Sequence, residues 1–270
     1  MSRIKGCFEE LNSAGKQALI PYVVAGDPDL KATLGLMHAL VASGADIIEL
    51  GIPFSDPSAD GPVIQRAVER ALKNNTSLRD TLALVSEFRQ VNDATPIVLM
   101  GYLNPVEAMG YQHFTESALS AGIDGVLIVD MPPEESHDLL KFLTPSAIDT
   151  IFLVAPTTTE VRAKNICTLS SGYLYYVSLK GVTGAANLDI NSVAENLNKL
   201  RGYTDLPLGV GFGIRDAESA ASIAAIADAV VVGSALVNKV AELSAGTEYS
   251  QQQLQSQVSL IKEMRVAMDK

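Results

Sequence analysis

The sequence predicts an α/β fold: a (β/α)8, or TIM, barrel carrying an extra N-terminal helix and an extra C-terminal helix. Three observations lead there. Eight short apolar stretches alternate with eight helical segments. The stretches lack polar alternation, so both of their faces are buried, which calls for parallel pairing under a cover of helices. The chain of 270 residues shows no composition break, and its length suits one barrel of about 250 residues. Residues 1–270 therefore read as a single domain. The alternative, an open doubly wound sheet, is disfavoured because no GxGxxG fingerprint follows the first strand.

Residues 3–14 form an amphipathic helix with Ile4, Phe8 and Leu11 on one face. No strand precedes it, so it is free to cover the bottom of the barrel. Ala18–Val24 is the first strand, closed by Ala25-Gly26-Asp27-Pro28. Leu30, Leu34, Met37 and Val41 mark a helix stopped by Gly44. Asp46–Leu50 is the second strand, followed by helical pattern at 62–73 and 77–91. Pro96–Gly101 leads into a helix ending near Gly122, Gly125–Val129 into one over Pro133–Leu143. Thr150–Val154 and Tyr173–Ser178 flank a helix over 159–169. Asp189–Leu200 is helical, Leu208–Val210 and Ala229–Val232 are the last strands, and Ala217–Ile226 lies between them. A final stripe of Leu254, Val258, Ile261 and Met268 packs outside; the polar run 244–257 reads as loop and exposed helix start.

Composition excludes several classes of function. Apolar residues make up 47% and charged residues 19%, as in a soluble globular enzyme. A net charge of −11 and pI near 4.7 speak against nucleic acid and anionic membrane as partners. Cys7 and Cys167 stand far apart, without the spacing of a zinc site or a disulfide framework. The N-terminus is charged and lacks a signal-peptide core, and no apolar run reaches membrane-spanning length. A reduced, cytoplasmic location is the expectation.

One stretch organises the chemistry. Asp46-Ile47-Ile48-Glu49-Leu50-Gly51 places a carboxylate among apolar strand residues, where burial is expensive and should raise its pKa toward neutrality. Gly51 and Pro53 end the strand. The loop Ser55-Asp56-Pro57-Ser58-Ala59 leads to Asp60, just before Gly61-Pro62 opens a helix. Helix N–H groups and dipole there would favour the charged form of Asp60. Two acids pushed in opposite directions form a candidate acid/base pair. Taken alone, Asp60 is equally well an N-cap, and Glu49 a strand-end residue whose head reaches water or an arginine.

In such barrels chemistry gathers at the C-terminal strand ends, which carry Glu49, Tyr102, Asp130, Tyr175, Gly211-Phe212-Gly213 and Gly233-Ser234. His38, His113 and His137 fall in helical segments, so no metal site or thiol nucleophile is expected. The glycines after the seventh and eighth strands suit a phosphate held by backbone N–H groups, with tight turns alone as the plainer reading. Gly181-Val182-Thr183-Gly184, after the sixth strand, has the composition of a closing lid or of a simple surface loop.

The run from Glu49 to Pro57 with Ala59-Asp60-Gly61-Pro62 resembles the signature of the tryptophan synthase alpha subunit family, as do Gly181–Gly184, Gly211-Phe212-Gly213-Ile214 and Gly233-Ser234-Ala235. The resemblance runs from Gly6 to about Val240. It implies a lyase that splits indole-3-glycerol phosphate into indole and glyceraldehyde 3-phosphate. It also implies an alpha2-beta2 heterotetramer with a beta subunit, which holds pyridoxal phosphate and uses the indole for tryptophan biosynthesis; no cofactor is implied in this chain. Glu49 would be the general acid/base and Asp60 the group facing the indole N–H. Substrate contacts would fall at Tyr22, Tyr102, Tyr175, Thr183, Gly184, Phe212, Gly213, Gly233 and Ser234, with Tyr175 bordering Glu49 and Thr183 bonding Asp60 on closure. Asp56, Pro57, Asn104 and Pro105 would face the beta subunit. Three departures stand out: Ser58 replaces a bulky apolar residue, Tyr22 stands where Phe is common, and Leu179-Lys180 precedes the lid. The alternatives are a free-standing indole-releasing lyase, another phosphate-binding barrel enzyme such as a sugar-phosphate isomerase, and a catalytically silent scaffold.

Overall fold

The structure is a computed structural model that describes residues 2–178, 189–211 and 213–270. Among the described residues there are nine strands: β1 Ala18–Val24, β2 Ile48–Gly51, β3 Ile97–Gly101, β4 Gly125–Ile128, β5 Asp149–Thr150, β6 Leu153–Val154, β7 Leu174–Val177, β8 Leu208–Gly211 and β9 Ala229–Val232. All pair in parallel, in the order β5-β4-β3-β2-β1-β9-β8-β7-β6. The two ends of that order are halves of one strand. Only Ile151 and Phe152 separate β5 from β6; the Ile151 N–H donates to the Val126 carbonyl (2.9 Å) and the Tyr175 N–H to the Phe152 carbonyl (3.1 Å). The sheet closes on itself there, and the expected eight-stranded barrel results. The fifth strand, expected unbroken over Thr150–Val154, is interrupted where it passes from the β4 ladder to the β7 ladder.

Side chains alternate in and out along every strand. Ala18, Ile20, Ile47, Val98, Leu127, Ile151, Tyr173, Tyr175, Ala229 and Val231 fill the barrel interior, and Ile4 and Phe8 of the helix Arg3–Ser13 close its lower end. The alternate residues, among them Leu19, Val23, Ile48, Leu50, Leu99, Val126, Tyr176, Val210 and Val230, pack outward under the helices. Glycines inside the barrel make room for tyrosine rings. A Cβ on Gly209 would stand 3.3 Å from the Tyr173 ring, and a Cβ on Gly51 or Gly211 would overlap the hydroxyl of Tyr22 or Tyr175.

The helices follow the expected order with three refinements. The segment after β3 is two helices, Leu103–Met109 and Tyr111–Ala121, parted at Gly110, whose φ of 85° breaks the run. Pro133–Glu135 is a 3-10 turn before the helix His137–Leu143. The C-terminal segment is also two helices, Gln251–Gln257 and Ser259–Met268, which pack on Leu30–Ala42 and Ala217–Ala224 respectively. Among the described residues, no helix is long and apolar enough to cross a membrane.

The lower rim repeats one hydrogen-bonding device four times. Asp46 Oδ2 accepts from the Leu19 N–H (2.8 Å) while its own N–H donates to the Leu19 carbonyl (3.0 Å). Asp124 does the same with Ile97, and Asp228 with Leu208, at the same distances. Ser171 Oγ and N–H do so with Thr150, both at 2.9 Å. Each clamp joins the starts of two consecutive barrel strands. Asp124 is the most enclosed and also takes Arg3 (2.8 Å) and Arg89 (2.7 Å). Removing its carboxylate strands a buried guanidinium and a backbone donor. Asp124→Ala should therefore lower unfolding stability by roughly 3–5 kcal/mol, whereas Asp228→Ala, at a half-exposed site facing Arg201 at 3.5 Å, should cost roughly 1 kcal/mol. Urea unfolding of both variants checks the ranking; equal losses would contradict it.

Candidate active site

Strand alternation carries Glu49 into the barrel. Its Cα partners are Tyr22 on β1 and Val98 on β3, and it is 1% exposed. The Tyr173 hydroxyl donates to Oε1 at 2.6 Å, while Oε2 is buried without a partner among the described residues. Burial pushes the Glu49 pKa up and the Tyr173 bond holds it back; it settles at about 7. A carboxyl poised there can give and take a proton under physiological conditions. Tyr175, expected to border Glu49, lies near enough for the carboxylate to hinder its ionisation, but the residue that bonds Glu49 is Tyr173. Its signal was present in the sequence: Tyr173 and Tyr175 share one face of a strand, and both point inward.

Tyr22 on β1 and Tyr175 on β7 occupy matching places against their neighbouring strands. Each lies beside a neighbouring strand whose glycine is two residues nearer the C-terminal mouth, and each ring leans toward the mouth over it: Tyr22 over Gly51, Tyr175 over Gly211. Neither hydroxyl bonds to a described residue.

Asp60 stands over the same mouth. The loop after β2 is folded by Ser58 N–H to the Asp56 carbonyl (2.8 Å) and Asp60 N–H to the Pro57 carbonyl (3.0 Å). Gln65 of the following helix, Pro62–Lys73, donates to the Asp60 carbonyl (2.9 Å). The helix is capped by Gly61 with no side-chain bond, so Asp60 is not an N-cap. Its Oδ2 accepts instead from the Tyr102 hydroxyl (3.0 Å), which in turn accepts from the Ala59 N–H (3.0 Å). Tyr102 is fixed by the Phe54 ring, centroids 5.3 Å apart, and by Asp130, whose Oδ1 takes the Leu103 N–H at 2.8 Å. Here the expectation needs correcting. Asp60 was expected to be held charged by the helix start, but its carboxyl turns away from the helix, and burial raises its pKa against the opposing Tyr102 bond. Both acids are thus shifted the same way.

At the opposite rim Gly213 has φ of 80°, a left-handed conformation that a side chain would strain. Gly233 precedes the short helix Ser234–Val240 and takes the Leu236 and Val237 N–H groups on its carbonyl (3.0 and 3.1 Å). The Ser234 and Ala235 N–H groups have no acceptor among the described residues. Arg215 is exposed and pairs with Asp216 at 3.5 Å. Thr183, Gly184, Phe212 and the whole segment Leu179–Gly184 lie outside the described residues. Ser55, Asp56 and Asn104 are exposed on the rim. His38 stacks on Phe88 in the outer layer (4.8 Å), and His113 and His137 sit in helices. The described residues contain no cluster able to hold a metal ion. Cys7 is inert, its thiol pushed to about 12 by burial.

The model of the tryptophan synthase alpha chain family matches residues 8–268. The chain belongs to that family. It is 61% identical over 269 residues to the tryptophan synthase alpha chain of Thioalkalivibrio sulfidiphilus (strain HL-EbGR7), covering 100% of both chains. It is 58% identical to that of Chromobacterium violaceum over 268 residues, 99% of this chain and 100% of the relative. Among solved structures it resembles tryptophan synthase subunit alpha from Legionella pneumophila str. Paris, with a TM-score of 0.91, 43% identity and coverage of 100% and 99%. It also resembles a chain of the aminoacrylate-bound tryptophan synthase of M. tuberculosis, with a TM-score of 0.86, 35% identity and coverage of 99% and 100%. Family membership makes the chain an enzyme subunit of the lyase type in tryptophan biosynthesis. The free-standing alternative finds no support in these relatives.

The site leaves a signature in stability. In the unfolded chain the Glu49 carboxyl titrates near 4.5, in the fold at about 7. The fold therefore prefers the neutral form: this contribution is fully present below pH 4.5 and is lost as pH rises through 7. The loss is on the order of 3 kcal/mol. Glu49→Gln, which cannot ionise, should be more stable than the parent at pH 8 by an amount of that order and little different at pH 4. Urea unfolding of both proteins at the two pH values tests this; a difference independent of pH would contradict it.

Proposed function

We propose that this chain cleaves indole-3-glycerol phosphate to indole and glyceraldehyde 3-phosphate and passes the indole to a pyridoxal-phosphate-bearing beta subunit in an alpha2-beta2 complex, in the cytoplasm. The observation that carries the proposal is the buried Glu49, with a pKa of about 7, beneath a second acid held by Tyr102 at the same mouth. Breaking the bond between indole C3 and the glycerol chain first needs a proton on C3, because a bare aryl carbanion is a very poor leaving group. Glu49, protonated at the start, gives it. Positive charge then grows on the indole nitrogen and is stabilised by an ionised Asp60, whose charged form the Tyr102 hydroxyl supports. Glu49 takes the proton from the hydroxyl on the adjacent carbon; that C–O becomes the aldehyde, the C–C pair returns to C3, and indole leaves. These steps require neither a Schiff-base lysine nor a metal from this chain.

The phosphate of the substrate fits the glycine-rich rim. Unengaged N–H groups at Ser234 and Ala235 and the open approach at Gly233 suit a dianion held by backbone. Gly213, Thr183, Gly184 and Phe212 complete the pocket on this reading, with Tyr22, Tyr102 and Tyr175 lining its inner wall. Exposed Asp56 and Asn104, beside Pro57 and Pro105, form the face offered to the beta subunit.

Glu49→Gln should keep the fold and reduce indole release by at least about 100-fold, measured with indole-3-glycerol phosphate in the presence of a beta subunit. Near-parental turnover in the folded variant would overturn the assignment. Gly213→Val should raise KM steeply, and Arg215→Ala, which removes only an exposed charge, should matter less; the reverse order would point to a side-chain clamp in place of the backbone cradle. A cognate beta subunit should raise the turnover of the isolated chain, and a titration showing neither binding nor rate change would leave the partner proposal unsupported.

A further inference from the structure

Asp60 is held at three points. Its N–H donates to the Pro57 carbonyl at 3.0 Å, its carboxyl accepts from the Tyr102 hydroxyl at 3.0 Å, and its carbonyl accepts from the Gln65 side chain at 2.9 Å. The third hold reaches back five residues from inside a helix. The other atom near the Gln65 amide is the Pro57 carbonyl oxygen at 3.5 Å, also an acceptor, so the group facing the loop must be the NH2. Gln65 itself stands on a fixed support. Ile64, Ala67, Val68 and Ala71 of the helix Pro62–Lys73 are buried in one cluster with Tyr22, Val24 and Val237. Near the far end of that helix, Asp27 grips Arg70 with two bonds of 2.7 and 2.8 Å. Ordering a long amide side chain costs about as much as one half-exposed hydrogen bond returns, so the Gln65 contact adds little to stability. What it fixes is direction.

The helix start offers the Asp60 carboxyl a different partner. Gly61 caps it without a side-chain bond, and the Val63 and Ile64 N–H groups have no acceptor among the described residues. Bare amides and the helix dipole draw a nearby carboxylate. Asp60 nevertheless turns its carboxyl to Tyr102. Peptide groups are planar, so fixing the plane before Asp60 through its N–H and the plane after it through its carbonyl leaves its Cα–Cβ bond one direction. Resting on the reaction proposed above, we infer that Gln65 is a positioning residue: its amide clamps the Asp60 carbonyl and so keeps the carboxyl over the mouth, where the indole nitrogen gains charge, instead of at the helix start. Tyr102 meets only the carboxyl and the Ala59 N–H; among the described side chains, Gln65 alone holds the peptide that follows Asp60. Gln65 thus acts through Asp60 and touches no reacting atom.

The test uses Gln65→Met, which keeps the length and removes the donor, and two readouts. In the complex with a beta subunit, kcat for indole-3-glycerol phosphate should fall about 10- to 100-fold while KM changes less than about threefold. The urea midpoint of the variant should stay close to the parental one. The second readout is the Asp60 carboxyl in protein carrying 13C-labelled aspartate side chains, assigned as the resonance absent from Asp60→Asn. Burial holds its midpoint above 3.8 in the parent. In Gln65→Met the carboxyl turns to the Val63 and Ile64 N–H groups, and the midpoint should fall below 3.8. Tyr102 and Tyr22, the titratable groups facing Asp60, are the same in both proteins. Should Gln65→Met fail to fold, Gln65→Glu keeps the shape and, ionised at about pH 8, has no proton to donate; the same loss of kcat is expected there. Unchanged kcat in either folded variant would overturn the inference. So would a loss of kcat with the Asp60 midpoint unmoved, which would place the effect elsewhere. A parental complex that does not turn over indole-3-glycerol phosphate would show that the reaction was misassigned, and the Asp60 titration alone would then decide whether Gln65 aims the carboxyl.

Discussion

The desolvation of one carboxyl group is the constraint around which the upper half of this barrel is built. Glu49 lies on a strand whose neighbours are apolar; among the described residues no cation reaches it, and its one protein partner is the Tyr173 hydroxyl. A fully paired carboxylate would sit well below neutrality and could not act as an acid at physiological pH. A wholly unpaired one would be held neutral and could not act as a base. A single phenol donor set against deep burial leaves the group between these limits. The glycines at 51, 209 and 211 serve the same end, since they admit the three tyrosine rings that exclude water around it.

The two ends of the barrel divide their tasks. At the lower rim, four reciprocal clamps and the ion pairs of Asp124 and Asp46 tie strand starts together, and the helix Arg3–Ser13 closes the interior. At the upper rim, loops carry Asp60, Asp130 and the glycine turns, and their bonds run from one loop to the next. Stability concentrated below lets polar, strained and unsatisfied groups persist above, where chemistry needs them. The helix Ser234–Val240 and the helix Pro62–Lys73 behind Asp60 share the small apolar cluster of Val237, Ile64, Val68 and Tyr22. The acid loop and the proposed anion site therefore rest on one packed layer.

Local pattern carried much of this into the sequence. The strands were legible from short apolar runs, and the burial of Glu49 was expected from the apolar residues around it. What the sequence hid was contact between distant segments. Tyr173 meets Glu49 across 124 residues and Tyr102 meets Asp60 across 42, and no periodicity encodes either pair. Gly61-Pro62 correctly announced a helix start, but the loop turns Asp60 toward Tyr102, so local capping rules gave the wrong direction for its pKa. The break within the fifth strand depends on how the sheet closes, a property of the whole ring.

The central claim is that burial holds Glu49 near neutrality, and direct titration of its carboxyl tests it. In protein carrying 13C-labelled glutamate side chains, the resonance absent from Glu49→Gln belongs to Glu49, and its shift can be followed against pH. A midpoint of about 7 is expected. A midpoint at the ordinary 4.5 would contradict the claim, because the group would then be ionised throughout the physiological range and could not supply the first proton.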